Sequence, residues 1–132
     1  MKYVIWYLGS FLSFLVIDLT WLGVVAVNFY NDKLKDLKAT EINWSAAFLF
    51  YFLFVAGLLY FVVQPALIKE DIKMAALNGA LLGFFAYMTY DLTNLAVIRN
   101  WPLDMSLVDI AWGTVLGSLV CTISYLIGSK VL

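Results

Sequence analysis

Three carboxylates surrounded by apolar residues are the side chains of this sequence best suited to chemistry. Asp18 lies in IDLTWLG, Asp91 lies in TYDLTN, and Asp109 lies in VDIAWG. Because an ionisable group inside a membrane helix is energetically costly, such a residue marks a functional site by default. Acids in these surroundings bind cations, exchange protons or act as general acids and bases.

Further polar and aromatic residues accompany these acids. Trp21 follows Asp18 at the i,i+3 position, so the two share a helix face. Trp112 follows Asp109 at the same spacing. The candidates around Asp91 are Tyr87, Tyr90, Asn94 and Arg99. Together these residues are predicted to bind a substrate or to exchange protons, with no catalytic role assigned to any of them.

Arg99 is the only arginine, and it follows Asp91 by eight residues on roughly the same helix face. An ion pair between Arg99 and either Asp91 or Asp109 would favour the ionised carboxylates. Without such a pair, burial would favour their protonated forms, as expected of a proton-handling group. The sequence leaves both alternatives open.

The composition is typical of a membrane protein and excludes several kinds of site. Of 132 residues, 64% are hydrophobic and 13% are charged, whereas about a quarter are charged in soluble domains. There is no histidine and only one cysteine, Cys121, so a His-dependent nucleophile is excluded. The usual ligands of zinc, copper and haem are equally scarce, and we expect no metal and no cofactor. A net charge of −1 gives no basic surface for nucleic acid, so no such partner is expected.

Four apolar segments predict an all-α membrane protein. Each is long enough to cross the bilayer as a helix, and their approximate bounds are 3–30, 44–68, 74–98 and 107–126. The polar stretch 31–43 is either a short interfacial helix or a solvated loop. Residues 1–132 are therefore expected to form one domain, a compact bundle of four transmembrane helices in contact with the lipid bilayer.

The second segment is rich in aromatic residues and contains no charge. We assign it a structural role, facing lipid or packing against the other helices. Pro65 lies near its end and is predicted to kink or terminate this helix, because proline lacks the backbone N–H that a helix interior needs.

Small residues at four-residue spacing predict close packing of the third and fourth helices. Gly79 and Gly83 lie in one helix, and Gly113, Gly117 and Cys121 lie in the other. Such residues let helix backbones approach each other in lipid. The echo of DLTWL in the first helix by DLTNL in the third adds the hypothesis of two duplicated helical hairpins.

Alternating helix directions place Asp18, Asp91 and Asp109 in the same half of the bilayer. Structural interpretations compete with this predicted site. Asp109, expected in about the first turn of the fourth helix, is favoured there by the helix dipole. Trp112 also fits an interfacial belt of aromatic residues. Asp18 and Asp91 also fit a role in hydrogen bonds that hold the helices together.

The charges flanking the segments do not decide the orientation of the chain. Lysine and arginine are balanced four to four between the two sides, so the positive-inside rule has nothing to act on. We slightly favour an N-terminus inside. The same balance is what a homodimer of dual topology would show.

The motifs DLTWLG, TYDLTN, and WP followed by DIAWG together resemble a bacterial family of small membrane proteins, catalogued as domain of unknown function 2177. The resemblance covers essentially the whole chain. It implies a multi-pass protein of the bacterial inner membrane with four helices, and it brings no assigned activity. It also implies a shared site, formed by Asp18, Asp91, Asn94, Asp109 and Trp112.

Three functions fit these observations. We favour the binding or transport of a lipophilic or cationic small molecule with proton coupling, because aromatic faces attract organic cations and membrane acids recur in proton relays. The second is a membrane enzyme acting on a lipid or isoprenoid, with clustered acids as general acid and base. The third is an accessory subunit, whose polar residues join helices within a larger complex.

Overall fold

The computed structural model describes residues 1–132 and is built of helices and their connections. Four helical segments are long and apolar enough to cross a membrane: Lys2–Val25, Trp44–Ile68, Ile72–Val97 and Leu103–Val131. The predicted all-α membrane protein with four transmembrane helices is therefore confirmed.

The first span consists of α1 (Lys2–Thr20) and a π-helical turn (Trp21–Val25), and α2 (Val27–Leu34) follows it. In the π-helical turn, the backbone N–H of Ala26 donates to the carbonyl of Trp21 at 2.8 Å. The helix ends four residues beyond its predicted bound, so the polar stretch starts as helix. Turns and irregular backbone follow Leu34 up to the next helix, and a separate interfacial helix does not form.

The second span contains α3 (Trp44–Leu58), a π-helical turn (Leu59–Val63) and α4 (Gln64–Ile68). The Asn43 side chain caps α3 by accepting a hydrogen bond from the backbone N–H of Ala46 at 3.1 Å. Pro65 does not terminate this span. The helix adopts π geometry over Leu59–Val63, in the turn before Pro65, because proline lacks the backbone N–H of regular helical hydrogen bonding, and it then continues to Ile68.

The last two spans are the continuous helices α5 (Ile72–Val97) and α6 (Leu103–Val131). Helix α6 begins directly after Pro102, four residues earlier than predicted, because proline fits the start of a helix. Asp104 consequently occupies the first turn, and Asp109 lies in the second turn. The interpretation of Asp109 as a first-turn acid placed for the helix dipole is therefore wrong.

Close backbone contact between α5 and α6 is the strongest packing in the molecule, as the small residues predicted. A Cβ atom added to Gly83 would overlap the carbonyl oxygen of Gly113, and one added to Gly79 would overlap that of Gly117. Helix α6 lies centrally, since it also contacts α1, α4 and the π-helical turn at Leu59–Val63.

Helices α3 and α5 diverge towards the end of the bundle that carries the acids. Helix α3 packs on α1, whereas the contacts of α5 with the second span are concentrated at Leu59–Ile68. Helix α3 has no comparable contact with α5, so the two helices lie apart at this end of the bundle. This divergence creates the space in which the candidate site lies.

Candidate functional site

Asp18 is the point at which three helices meet. Its side chain is 3% exposed. The Tyr51 hydroxyl of α3 donates to Asp18 Oδ2 at 2.9 Å, and Trp112 Nε1 of α6 donates to Asp18 Oδ1 at 3.0 Å. Both donors are neutral, so they orient the carboxyl group without compensating a negative charge on it.

Two indole rings form an aromatic wall beside Asp18. Trp21 and Trp112 stack with ring centroids 4.4 Å apart and planes inclined by 8°. The π-helical turn begins at Trp21 and changes the direction in which the following residues project. Such turns are frequent at functional sites, and the first residue of this one, Trp21, stacks its indole ring on Trp112 of α6.

Helix α2 returns towards the site through Tyr30. Trp21 Nε1 donates to the Tyr30 hydroxyl at 3.2 Å, and that hydroxyl donates to Asp109 Oδ1 at 2.6 Å. Helix α2 is also held near the start of α6 by an ion pair between Lys33 and Asp104. Helix α2, which follows the first span, therefore binds Asp109 and the first turn of α6.

The pKa of Tyr30 lies above its ordinary value of 10.0, first because the phenol is partly buried and second because it donates to Asp109. Both effects favour the protonated phenol. Tyr30 is consequently a hydrogen-bond donor to Asp109 throughout the physiological pH range.

Asp91 lies behind Asp109, in the contact between α5 and α6. The helices pair Gly83 with Gly113, and Tyr87 also lies against Gly113. One turn further along α5, this antiparallel register places Asp91 beside Asp109 and Ser106 of α6. Asp91 is fully buried, and neither carboxylate oxygen has a hydrogen-bond partner.

A cavity of about 410 Å³ lies between α1, α3, α5 and α6. It contains two carboxylates, several aromatic rings and no lysine or arginine. Its lining residues are Asp18, Leu22, Phe50, Tyr51, Phe54, Ala86, Tyr87, Tyr90, Asp109 and Trp112. Gly113 makes room for one wall, because any side chain there would overlap the Tyr87 ring.

The cavity opens sideways, where α3 and α5 diverge. Phe50 of α3 is 46% exposed and Tyr90 of α5 is 56% exposed, and both line the cavity. At the inner end, Tyr51 is only 9% exposed. The cavity therefore has an aromatic rim facing the bilayer and a polar inner end at Asp18.

The structure brings most of the predicted site residues together. Five of the nine line the cavity: Asp18, Tyr87, Tyr90, Asp109 and Trp112. Trp21 stacks on Trp112, and Asp91 lies beside Asp109. Asn94 is half-buried and does not line the cavity.

Arg99 is exposed and forms no ion pair. Of the two alternatives for this residue, the structure therefore supports the one without a pair to Asp91 or Asp109. The reason is that α5 ends at Val97 and the chain turns at Arg99 and Asn100, where Asn100 has a positive φ of 60°. Arg99 no longer continues the helix face of Asp91.

Sequence reasoning missed Tyr30, Tyr51 and the rings of Phe50 and Phe54. The second span was assigned a structural role, which is incomplete because its Tyr51 binds the Asp18 carboxylate. A signal for Tyr51 exists, since a hydroxyl inside an otherwise apolar run needs a partner within the protein. No comparable signal marks Tyr30, because it lies beyond the first span and next to polar residues.

The fold and the site together define a multi-pass membrane protein with an acidic, aromatic cavity within its bundle. A family model described as "Predicted membrane protein (DUF2177)" matches residues 3–126. The chain belongs to this family, as the motifs around the three acids indicated. No curated protein and no solved structure matches the chain.

Proposed function

We propose that the protein binds a lipophilic organic cation in the cavity and moves it across the membrane. One observation carries the proposal: the cavity combines the carboxylates of Asp18 and Asp109 with aromatic rings and contains no basic side chain. A bound cation would supply the positive charge that the neutral donors around Asp18 do not provide.

Aromatic walls and carboxylates together favour this class of ligand over anions and neutral lipids. Indole and phenol faces attract cations through the ring quadrupole, an interaction worth about 2 kcal/mol when desolvated. An anion would meet two carboxylates in surroundings of low dielectric constant, where like charges repel strongly. The volume of about 410 Å³ lies in the range of small-molecule sites.

The opening between α3 and α5 supports entry from the bilayer. Its rim carries the exposed rings of Phe50 and Tyr90, so a ligand dissolved in lipid meets apolar surface before it meets charge. We place the protein in the bacterial inner membrane, because α-helical bundles suit that membrane whereas outer-membrane spans are β-barrels. A homodimer of dual topology stays a prediction.

The test is the binding of tetraphenylphosphonium to the purified protein in nanodiscs of uncharged lipid, measured by isothermal titration calorimetry. We expect saturable binding that falls at least tenfold in Asp18→Asn and is retained in Asp36→Asn. Asp36 is a suitable control because it is an exposed acid that does not line the cavity.

Tetraphenylborate provides the matched ligand control, since it has the same shape and the opposite charge. Equal binding of the two ions, or unchanged affinity in Asp18→Asn, would contradict the proposal and indicate partition into lipid. An absence of binding to any organic cation would instead favour the enzyme or the accessory subunit.

A further inference from the structure

The buried carboxyl group of Asp91 receives no hydrogen bond from any donor in the structure. It is fully buried, and both of its oxygens lack a hydrogen bond. Most buried polar groups in proteins are paired, and an isolated buried charge is very costly. Asp91 is therefore either accompanied by a cation or uncharged.

The groups that face Asp91 come from several elements and include no cation. Helix α6 contributes Asp109 and Ser106, and Tyr30 of α2 donates a hydrogen bond to Asp109. Asp18 of α1 lines the same cavity as Asp109. The titratable neighbours on α5 itself are Tyr87 and Tyr90. Of the basic side chains at this end of the bundle, Lys33 is paired with Asp104, and Arg99 is exposed and forms no ion pair.

A metal ion fits these groups poorly. No set of three acidic, histidine or cysteine side chains is arranged to hold one, and hard cations require six or more oxygen ligands. Ser106 Oγ already accepts a hydrogen bond from Trp101 Nε1 at 2.8 Å. A proton needs fewer groups than a metal ion, because the O–H of a carboxylic acid donates to a single neighbouring carboxylate.

We propose that Asp91 and Asp109 share one proton and that this pair is the proton-exchange site of the protein. The O–H of the Asp91 carboxylic acid donates to the Asp109 carboxylate, whose Oδ1 also accepts from Tyr30. Two adjacent carboxyl groups in apolar surroundings hold one proton because both cannot ionise together. The pair then carries a single negative charge, which Tyr30 stabilises.

The pair itself does not depend on the proposed function, but its coupling to a ligand does. Asp109 also lines the cavity, so an organic cation beside it would compensate the second negative charge. The cation enters, the O–H bond of Asp91 breaks, and one proton leaves to water. Charge is conserved, since one positive ion replaces another.

Infrared spectroscopy of the protein in nanodiscs at neutral pH tests the pair directly. We expect the carbonyl band of a protonated carboxylic acid in the wild type. Asp91→Asn should remove this band, and Asp109→Asn should shift it because an amide accepts hydrogen bonds more weakly than a carboxylate. Asp18→Asn should leave it unchanged. Asparagine can donate an N–H in place of the acid, so the fold is expected to persist, which thermal unfolding checks.

A wild type without a protonated-acid band, or a band that persists in Asp91→Asn, would overturn the shared proton. Proton release on saturation with tetraphenylphosphonium, followed with a pH-sensitive dye, then tests the coupling. One proton per bound cation is expected in the wild type and none in Asp91→Asn. If the wild type shows the acid band but does not bind the cation, the proposed function fails and the shared proton stands.

Discussion

Trp112 and Asp18, 94 positions apart in the sequence, are joined by a 3.0 Å hydrogen bond from Nε1 to Oδ1. The same indole ring stacks on Trp21 and lines the cavity. One residue of α6 therefore orients the carboxyl group and also supplies part of the aromatic wall. These two roles are separable by substitution.

Trp112→Phe keeps an aromatic ring and removes the N–H donor, whereas Trp112→Ala removes both. For the phenylalanine variant we expect a stability loss of about 0.6 kcal/mol, the average for a hydrogen bond between membrane helices, with tetraphenylphosphonium binding retained. For the alanine variant we expect affinity to fall about tenfold, which corresponds to about 1.4 kcal/mol. Calorimetric titration of both variants checks this. Equal affinities in the two variants would argue against a ring contact with the ligand.

Tyr51→Phe removes the second donor to Asp18 and leaves the phenyl ring in place. We expect the free energy of unfolding to fall by about 0.6 kcal/mol, because Asp18 keeps the hydrogen bond from Trp112. Unfolding in mixed detergent micelles, measured by circular dichroism, checks this value. A loss of several kcal/mol would mean that Tyr51 holds the bundle together rather than orienting a carboxyl group.

Gly83→Ala should disrupt the contact between α5 and α6, because the added methyl group would overlap the backbone carbonyl of Gly113. We expect the free energy of unfolding to fall by about 1–3 kcal/mol, the usual range for overpacking. Gly57→Ala is the matched control, since nothing lies within 4 Å of a Cβ at that helix position. Thermal unfolding of both variants checks the difference. Equal stability of Gly83→Ala and Gly57→Ala would show that the helices are not in close contact.

The raised pKa of Tyr30 leads us to expect a loss of stability at high pH. Its pKa is raised in the folded protein above the ordinary value of 10.0 by burial and by its hydrogen bond to Asp109. The folded state thus favours the protonated phenol. The contribution of Tyr30 to the free energy of unfolding is therefore fully present below about pH 10, and it is lost as the pH rises through the pKa of the folded state. Tyr30→Phe should therefore lose less stability than the wild type above about pH 10. Thermal unfolding from pH 8 to pH 11 checks this, and parallel curves for the two proteins would contradict it.

The sequence predicts the four spans well because the physical signal is strong. Apolar runs of membrane-spanning length identify each helix, and the glycines of α5 and α6 identify their closest contact. The ends of the helices are harder to predict. Helix α6 starts at Leu103 instead of about Leu107 because Pro102 initiates it, and α2 carries polar residues that resemble a loop.

Part of the candidate site follows equally from the sequence. Asp18, Asp91 and Asp109 stand out because each is a charge in an apolar run, and alternating helix directions bring them to one end. The contribution of α3 does not follow completely: the Tyr51 hydroxyl needs a partner but the sequence does not name Asp18 as that partner, and Phe50 looks like the other rings of the helix. Arg99 is excluded from the candidate site because α5 ends before it, and neither the spacing nor the charge of the residues reveals where that helix ends.

The central claim is that an organic cation occupies the cavity between Asp18 and Asp109. A crystal structure with tetraphenylarsonium tests it most directly, because arsenic scatters anomalously and marks the position of the charge. We predict one arsenic peak inside the cavity, next to the Trp112 ring and between the two carboxyl groups, and no such peak in Asp18→Asn crystals soaked in the same way. Arsenic peaks confined to the lipid-facing surface of the wild type would contradict the account.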